Sequence, residues 1–221
     1  MSFGGLNKTK KSLIKYTPST DIITNQAATY ASSILKSETA LANGVLQTDY
    51  LKLLNNGCTY LPNFFCQTSN LTMFNQLKSD CNPKGAVTWS KHHRCDDANN
   101  SSTFNQIVKR MADHFKVQVV QTRLNYYVDG TDWKPLHKDN HGYGEGVQRI
   151  REDFTMGASF GSSRTLDFVH DETKLKFSFP QNNGDVFAFN SEVNSKFMHG
   201  VPPVSETHGD RFSIVAWGKK L

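Results

Sequence analysis

No apolar run in the 221-residue chain approaches the ~18 residues needed to cross a bilayer. No charged, apolar and small-residue succession of a secretory signal is evident either. Both absences argue against a membrane span and for an intracellular protein, cytoplasmic or nuclear. Cysteine is sparse: Cys58, Cys66, Cys81 and Cys95 are irregularly spaced and form no C-x-x-C pair. Reduced thiols, rather than a disulfide framework, fit that pattern. Cys81, His92, His93 and Cys95 could be combined into a zinc site, but their spacing matches no usual finger. Acid is missing from residues 1–20, which hold Lys8, Lys10, Lys11 and Lys15 and so carry four of the five net positive charges. The rest of the chain has 21 bases (25 minus those four) against 20 acids. Bulk charge therefore does not make the folded part a nucleic-acid binder, and any such role rests on local patches. No internal repeat is visible, and no linker divides the strand-rich half.

What is present fits one domain at 21–221, preceded by a flexible basic tail at 1–20 and opening with a helical extension at 21–56. The alanine and leucine content from Thr24 to Leu54 predicts one or two helices, with Asp49 as an N-cap. Helical spacing predicts further helices over Ser69–Lys78, with Leu71, Phe74 and Leu77 inward, and over Thr103–Phe115. Ala86–Ser90 reads as a strand leading into a polar loop, Lys91–Ser102. Val117–Val128 reads as a long strand, followed by the turn Asp129–Asp132. Phe154–Phe160, Arg164–His170, Leu175–Phe179, Val186–Phe189 and Arg211–Trp217 are short alternating runs without helical patterns between them. Asn182-Asn183-Gly184-Asp185 is the clearest turn. The fold class expected is α+β with a mainly β core: a double-stranded β-helix, or jelly roll, with flanking N-terminal helices.

Two stretches carry chemistry. On an extended strand His137 and Asp139 face the same way. His199, 62 residues beyond His137, would complete two imidazoles and one carboxylate, a set suited to non-haem Fe(II) with open positions. His-Lys-Asp alone is more often plain surface polarity. Arg211 follows His199 by 12 residues and shares a strand face with Ser213, Val215 and Trp217. Phe212, Ile214 and Ala216 fill the opposite face. An inward arginine needs an acid, and the distal carboxylate of 2-oxoglutarate suits a bidentate guanidinium. A structural ion pair with Asp210 or Asp185 is the alternative.

Asn125-Tyr126-Tyr127, Trp133-Lys134-Pro135-Leu136-His137-Lys138-Asp139, His199-Gly200-Val201 and Arg211-Phe212-Ser213, in this order, resemble the AlkB-like 2-oxoglutarate/Fe(II) dioxygenases. The likeness covers roughly residues 58–219 and implies Fe(II), 2-oxoglutarate and dioxygen as cofactors. It makes Gly57–Phe65 the entry strand, ended by Pro62. It assigns Asn125 and Tyr127 to the two ends of the cosubstrate, beside Arg211 and Ser213, the latter where many relatives have asparagine. It suggests a substrate lid, with Trp89, His92, His93 and Arg94 as contacts, Trp133 nearby, and a flap at Asn140–Asp153. Trp217 departs from the pattern, because many relatives place a second arginine there. An indole at the barrel mouth would touch substrate, or else pack as core. The activity implied is demethylation or hydroxylation of a nucleic acid by a monomer. The same chemistry on a protein or small molecule, or a catalytically silent RNA-binding module, are the alternatives.

Overall fold

The computed structural model describes residues 53, 57–81, 87–89, 91–140, 151–172, 174 and 176–221. The expected tail at 1–20, nearly all of the helical extension and most of the flap, 141–150, lie outside the described residues. Strands β1 (Cys58–Leu61), β2 (Val87–Trp89), β3 (His92–Cys95), β4 (Val117–Tyr127) and β5 (Lys134–His137) come first. They are followed by β6 (Phe154–Gly161), β7 (Arg164–His170), β8 (Lys176–Gln181), β9 (Val186–Asn190), β10 (Phe197–Val201) and β11 (Arg211–Lys220). Three α-helices, α1 (Thr72–Asp80), α2 (Ser102–Phe115) and α3 (Ser191–Lys196), and a 3-10 turn at Ala98–Asn100 complete the described elements.

The strands form two antiparallel sheets, a seven-stranded one in the order β1-β9-β6-β11-β4-β3-β2 and a four-stranded one in the order β5-β10-β7-β8. This is the expected jelly roll. Period-2 alternation in β4, β6, β9 and β11 sorts side chains between two environments. Leu124, Tyr126, Phe154, Met156, Ala158, Phe160, Phe212, Ile214 and Ala216 join the core beneath the helices. The α2 residues Phe104, Ile107, Met111 and Phe115 supply its other half. Ser101 caps α2 by accepting from the Phe104 N–H at 3.0 Å. The opposite faces meet the small sheet through phenylalanines, where Phe168 packs on Phe179, Phe187 and Phe189 at ring separations of 5.6, 5.5 and 5.6 Å. That second layer leaves a gap at one end.

Several expectations need correction. Part of the predicted loop Lys91–Ser102 is β3, which sits between β2 and β4 because pairing with Leu124–Tyr126 satisfies its backbone despite a polar sequence. Helix α1 starts at Thr72, since Asn70 Oδ1 accepts from the Thr72 N–H at 3.0 Å, so Leu71 stands outside at 44% exposure. The run between β9 and β10 does contain a helix, α3, whose N-cap Asn190 accepts from the Val193 N–H at 3.0 Å. Strand β5 ends at His137, so Asp139 lies beyond it rather than on it. Cys95 is in the helix-side core while His92 stacks on Tyr127, so these two do not share a face of β3. The four cysteines are free.

Gly200 decides how closely β10 approaches β5. A Cβ there would lie 2.6 Å from the Lys134 carbonyl oxygen. Gly200→Ala is therefore expected to cost about 1–3 kcal/mol through overpacking, read as a lower melting temperature by calorimetry. An unchanged melting temperature would show that this approach does not constrain the sheet.

Candidate active site

The gap between the sheets is a cavity of about 250 Å³. His137 and His199 from the small sheet, with Asp139 just beyond β5, stand on one wall. Arg211, Ser213, Asn125 and Tyr127 stand on the facing wall, contributed by β11 and β4. Strand register creates both groups. His199 pairs directly with His137 across β10 and β5. Arg211 pairs with Tyr127 and Ser213 with Asn125 across β11 and β4.

His137, Asp139 and His199 each offer one ligand atom, and these atoms lie within 4.8 Å of one another. Asp139 Oδ1 is 3.6 Å from Nε2 of both His137 and His199, too long for either to be a hydrogen bond. Three donors thus converge without satisfying one another, as around a cation. The His137 Nδ1–H donates to the Pro135 carbonyl at 2.9 Å, a bond that fixes the proton there and frees Nε2 for the cavity. His199 is wedged against Phe189 and Phe168, and burial lowers its pKa, favouring the neutral imidazole that a metal requires.

Asp139 is held although it has left the strand. Its N–H donates to Asn194 Oδ1 at 3.0 Å, and the Asn194 amide donates back to its carbonyl at 2.9 Å. The Thr155 hydroxyl donates to Oδ2 at 2.9 Å. Burial by itself would push the Asp139 carboxyl up, but His137, His199 and the Trp217 indole outweigh it and hold the group well below the usual carboxylate range. Neighbouring Lys138 turns outward to Asp171 and to the Ser195 carbonyl, and stays out of the triad.

Arg211 is 1% exposed. Its Nε–H donates to Ser159 Oγ at 2.9 Å, its guanidinium lies 5.0 Å from the Tyr127 ring centre, and Nη1 has no partner. Burial lowers its pKa to about 10, which still leaves it charged at neutral pH. The two acids weighed as structural partners are engaged elsewhere. Asp210 accepts from Lys78 and Tyr126, and Asp185 from Tyr60 and the Asn63 N–H. A buried guanidinium with a free donor facing a cavity fits an anionic ligand such as the distal carboxylate of 2-oxoglutarate.

The substrate-side expectations fare differently. Trp217 lines the cavity, but at 9% exposure it is not an open platform. Its N–H faces Asp139, and the Arg123 guanidinium covers its ring at 5.4 Å. His92, Arg94 and Trp133 do not line the cavity. His92 is buried behind it, stacked on Tyr127 at 5.1 Å with Nε2 3.3 Å from Asn125 Oδ1. Burial lowers its pKa to about 4, so it backs the wall of Asn125 and Tyr127 as a neutral ring. Arg94 is tied to Asp96 beside a separate depression. The Trp89 side chain lies outside the described residues.

Other residues that line the cavity, Thr155 and Glu152, or hold its side chains, Ser159 and Asn194, went unnoticed in the sequence. Thr155 and Ser159 follow from β6 alternation, which could have found them. Asn194 and Glu152 gave no signal, one sitting on a six-residue helix and the other in a charged stretch resembling a surface loop. Glu152 is 2% exposed, lines the cavity and has no partner on either carboxyl oxygen. Burial first, and the charge of Asp139 second, push its pKa up to about 7. Arg164, also buried, donates to the carbonyls of Asp129, Asp132 and Pro202, pinning two loops beside Tyr127.

A jelly roll with two imidazoles and a carboxylate converging on one wall, and a buried cation on the other, has the architecture of a non-haem iron oxygenase that uses an anionic cosubstrate. The comparison with known families agrees: the family described as the 2OG-Fe(II) oxygenase superfamily matches residues 67–216. The chain belongs to that superfamily, whose members use Fe(II), 2-oxoglutarate and dioxygen. It is also similar to uncharacterized protein R406 of Acanthamoeba polyphaga mimivirus, with 25% identity over 177 residues covering 68% of this chain and 90% of that protein. No helix among the described residues is long and apolar enough to cross a membrane.

Because Glu152 titrates near 7 when folded and near 4.5 when exposed, its ionised form destabilises the metal-free fold. The wild type loses stability as pH rises from about 4.5 through about 7. Glu152→Gln should therefore raise the melting temperature of the metal-free protein at pH 8, with the gain vanishing below pH 4.5. A gain independent of pH would mean that Glu152 is not a buried ionising group.

Proposed function

We propose that this oxygenase is AlkB-like and oxidises an N-alkyl group on a nucleobase of a nucleic acid. The observation that carries the chemistry is the pairing of a convergent His137/Asp139/His199 set with the orphaned Nη1 of Arg211 across one cavity. In this reading His137, Asp139 and His199 hold Fe(II), while Arg211 and Ser213 hold the distal carboxylate of 2-oxoglutarate. Asn125 and Tyr127 complete the cosubstrate wall. With dioxygen, the iron and cosubstrate supply the oxidation, which yields succinate and carbon dioxide and hydroxylates a substrate C–H bond. A hydroxylated N-methyl group then releases formaldehyde and leaves N–H.

The chain's own residues orient and protect this chemistry. The Pro135 carbonyl keeps the His137 proton on Nδ1, and Thr155 and Asn194 prevent Asp139 from turning away. Phe168, Phe187 and Phe189 keep water from the His199 side. The nucleic-acid assignment draws support from Arg123 and Lys134, which line the same cavity. Burial and then the charge of Arg123 lower the Lys134 pKa, a cost that a phosphate between them would offset. Trp217 favours a second reading, the same oxidation on a protein or small molecule, because an indole replaces the cation that many AlkB-like proteins have there.

His137→Ala, Asp139→Ala and His199→Ala should each abolish succinate formation while leaving a cooperative melt. Succinate from any folded one of them removes that residue from the iron site. Arg211→Ala should raise the 2-oxoglutarate requirement about 10–150-fold, the equivalent of a lost charge-assisted pair, with a smaller effect on Fe(II) binding measured anaerobically. Thr155→Val should weaken Fe(II) binding about 10–100-fold, as for other residues that orient a ligand. Mass spectrometry of N-methylated oligonucleotides after aerobic incubation tests the substrate: formaldehyde and the unmethylated base are expected, and succinate without either would favour the second reading.

A further inference from the structure

We propose that Glu152 is the residue that selects the substrate, by binding a flat, positively charged nitrogen group through a paired set of N–H donors. This rests on the cavity being the oxygenase site, but the residue's role is a separate matter. Glu152 is 98% removed from solvent (2% exposed), and both Oε1 and Oε2 are without a hydrogen-bond partner. Buried carboxyl oxygens are costly to leave unpaired, so the arrangement is one that a ligand completes. The position supports this. Glu152 lines the same cavity as Asp139 and Thr155, and Thr155, only three residues on, donates to Asp139. A group bound at Glu152 therefore lies beside the iron-binding wall.

The charge and shape of the ligand follow from the carboxyl. Ionised, Glu152 is a buried anion, and neither of its oxygens has a donor among the described residues. A cation supplies the missing counter-charge, whereas an anion is repelled. Two free, coplanar oxygens match two coplanar N–H donors, as in an amidinium edge or a cationic amino-heterocycle, better than the tetrahedral donors of an ammonium. A 7-alkylguaninium has such an edge in its N1–H and N2–H, and a lysine side chain does not. Glu152 is thus a substrate-binding residue, distinct from the iron and cosubstrate sets.

The test uses benzamidinium, benzylammonium and neutral benzamide as probes. Each is titrated calorimetrically into the full chain loaded with Fe(II) and 2-oxoglutarate without oxygen. Benzamidinium should bind about 10–100-fold tighter than benzamide, the equivalent of a charge-assisted bidentate pair. Glu152→Gln should bring the two within about twofold, and Glu152→Asp should restore part of the preference. Equal affinities in the wild type, or a preference that survives in a folded Glu152→Gln, would overturn the proposal. A stronger preference for benzylammonium would overturn the flat-edge assignment in favour of a side-chain amine. Fe(II) and 2-oxoglutarate titrations of the wild type report separately on the oxygenase reading, so if they bind without a benzamidinium preference, the Glu152 assignment alone falls.

Discussion

Arg211 carries a full positive charge into a space closed by two sheets, and much of the cavity's form follows from that placement. It is the first residue of β11, so its side chain enters between the layers where β11 lies between β4 and β6. Ser159 and Tyr127 take part of its hydrogen-bonding and electrostatic demand, and neither supplies a negative charge. The nearby acids are consumed in structural bonds, Asp185 to Tyr60 and Asp210 to Lys78. A site that withholds a counter-charge from a buried cation leaves that demand to its ligand.

The opposite wall works by the inverse rule. There an anion, Asp139, is oriented by an unusual density of neighbours: Asn194 on its backbone, Thr155 on one carboxyl oxygen, and the Trp217 indole facing it. In the proposed function a cation between Asp139 and the two imidazoles would complete that wall, and an anionic cosubstrate the other. Cavity charge would then be balanced by ligands rather than by the chain itself. Glu152, unpaired at the same cavity, extends the pattern to a third ligand.

Trp217 was open to two readings, a contact at the barrel mouth or core packing. It lines the cavity yet is nearly buried, with Arg123 over its ring and its N–H turned to Asp139. Similarly, His92 and Arg94 are polar residues in what looked like a lid. Pairing with β4 makes a strand of their segment, burying His92 against Tyr127 and leaving Arg94 outside the cavity.

Residue order alone pointed to the 2OG-Fe(II) oxygenase superfamily, the jelly roll and the inward face of β11, and it picked out His137, Asp139, His199 and Arg211, which the fold brings to one cavity. Alternation with a period of two is a local property, and it tells which side chains share a face without knowledge of the partner strand. Only the tertiary structure decided what those side chains meet. Asn194 reaches Asp139 from 55 residues away and Ser159 reaches Arg211 from 52, contacts fixed by how the sheets and α3 pack. The same holds for Glu152, whose charged neighbourhood in sequence resembles a surface loop. Its burial without a partner depends on packing that no local pattern encodes.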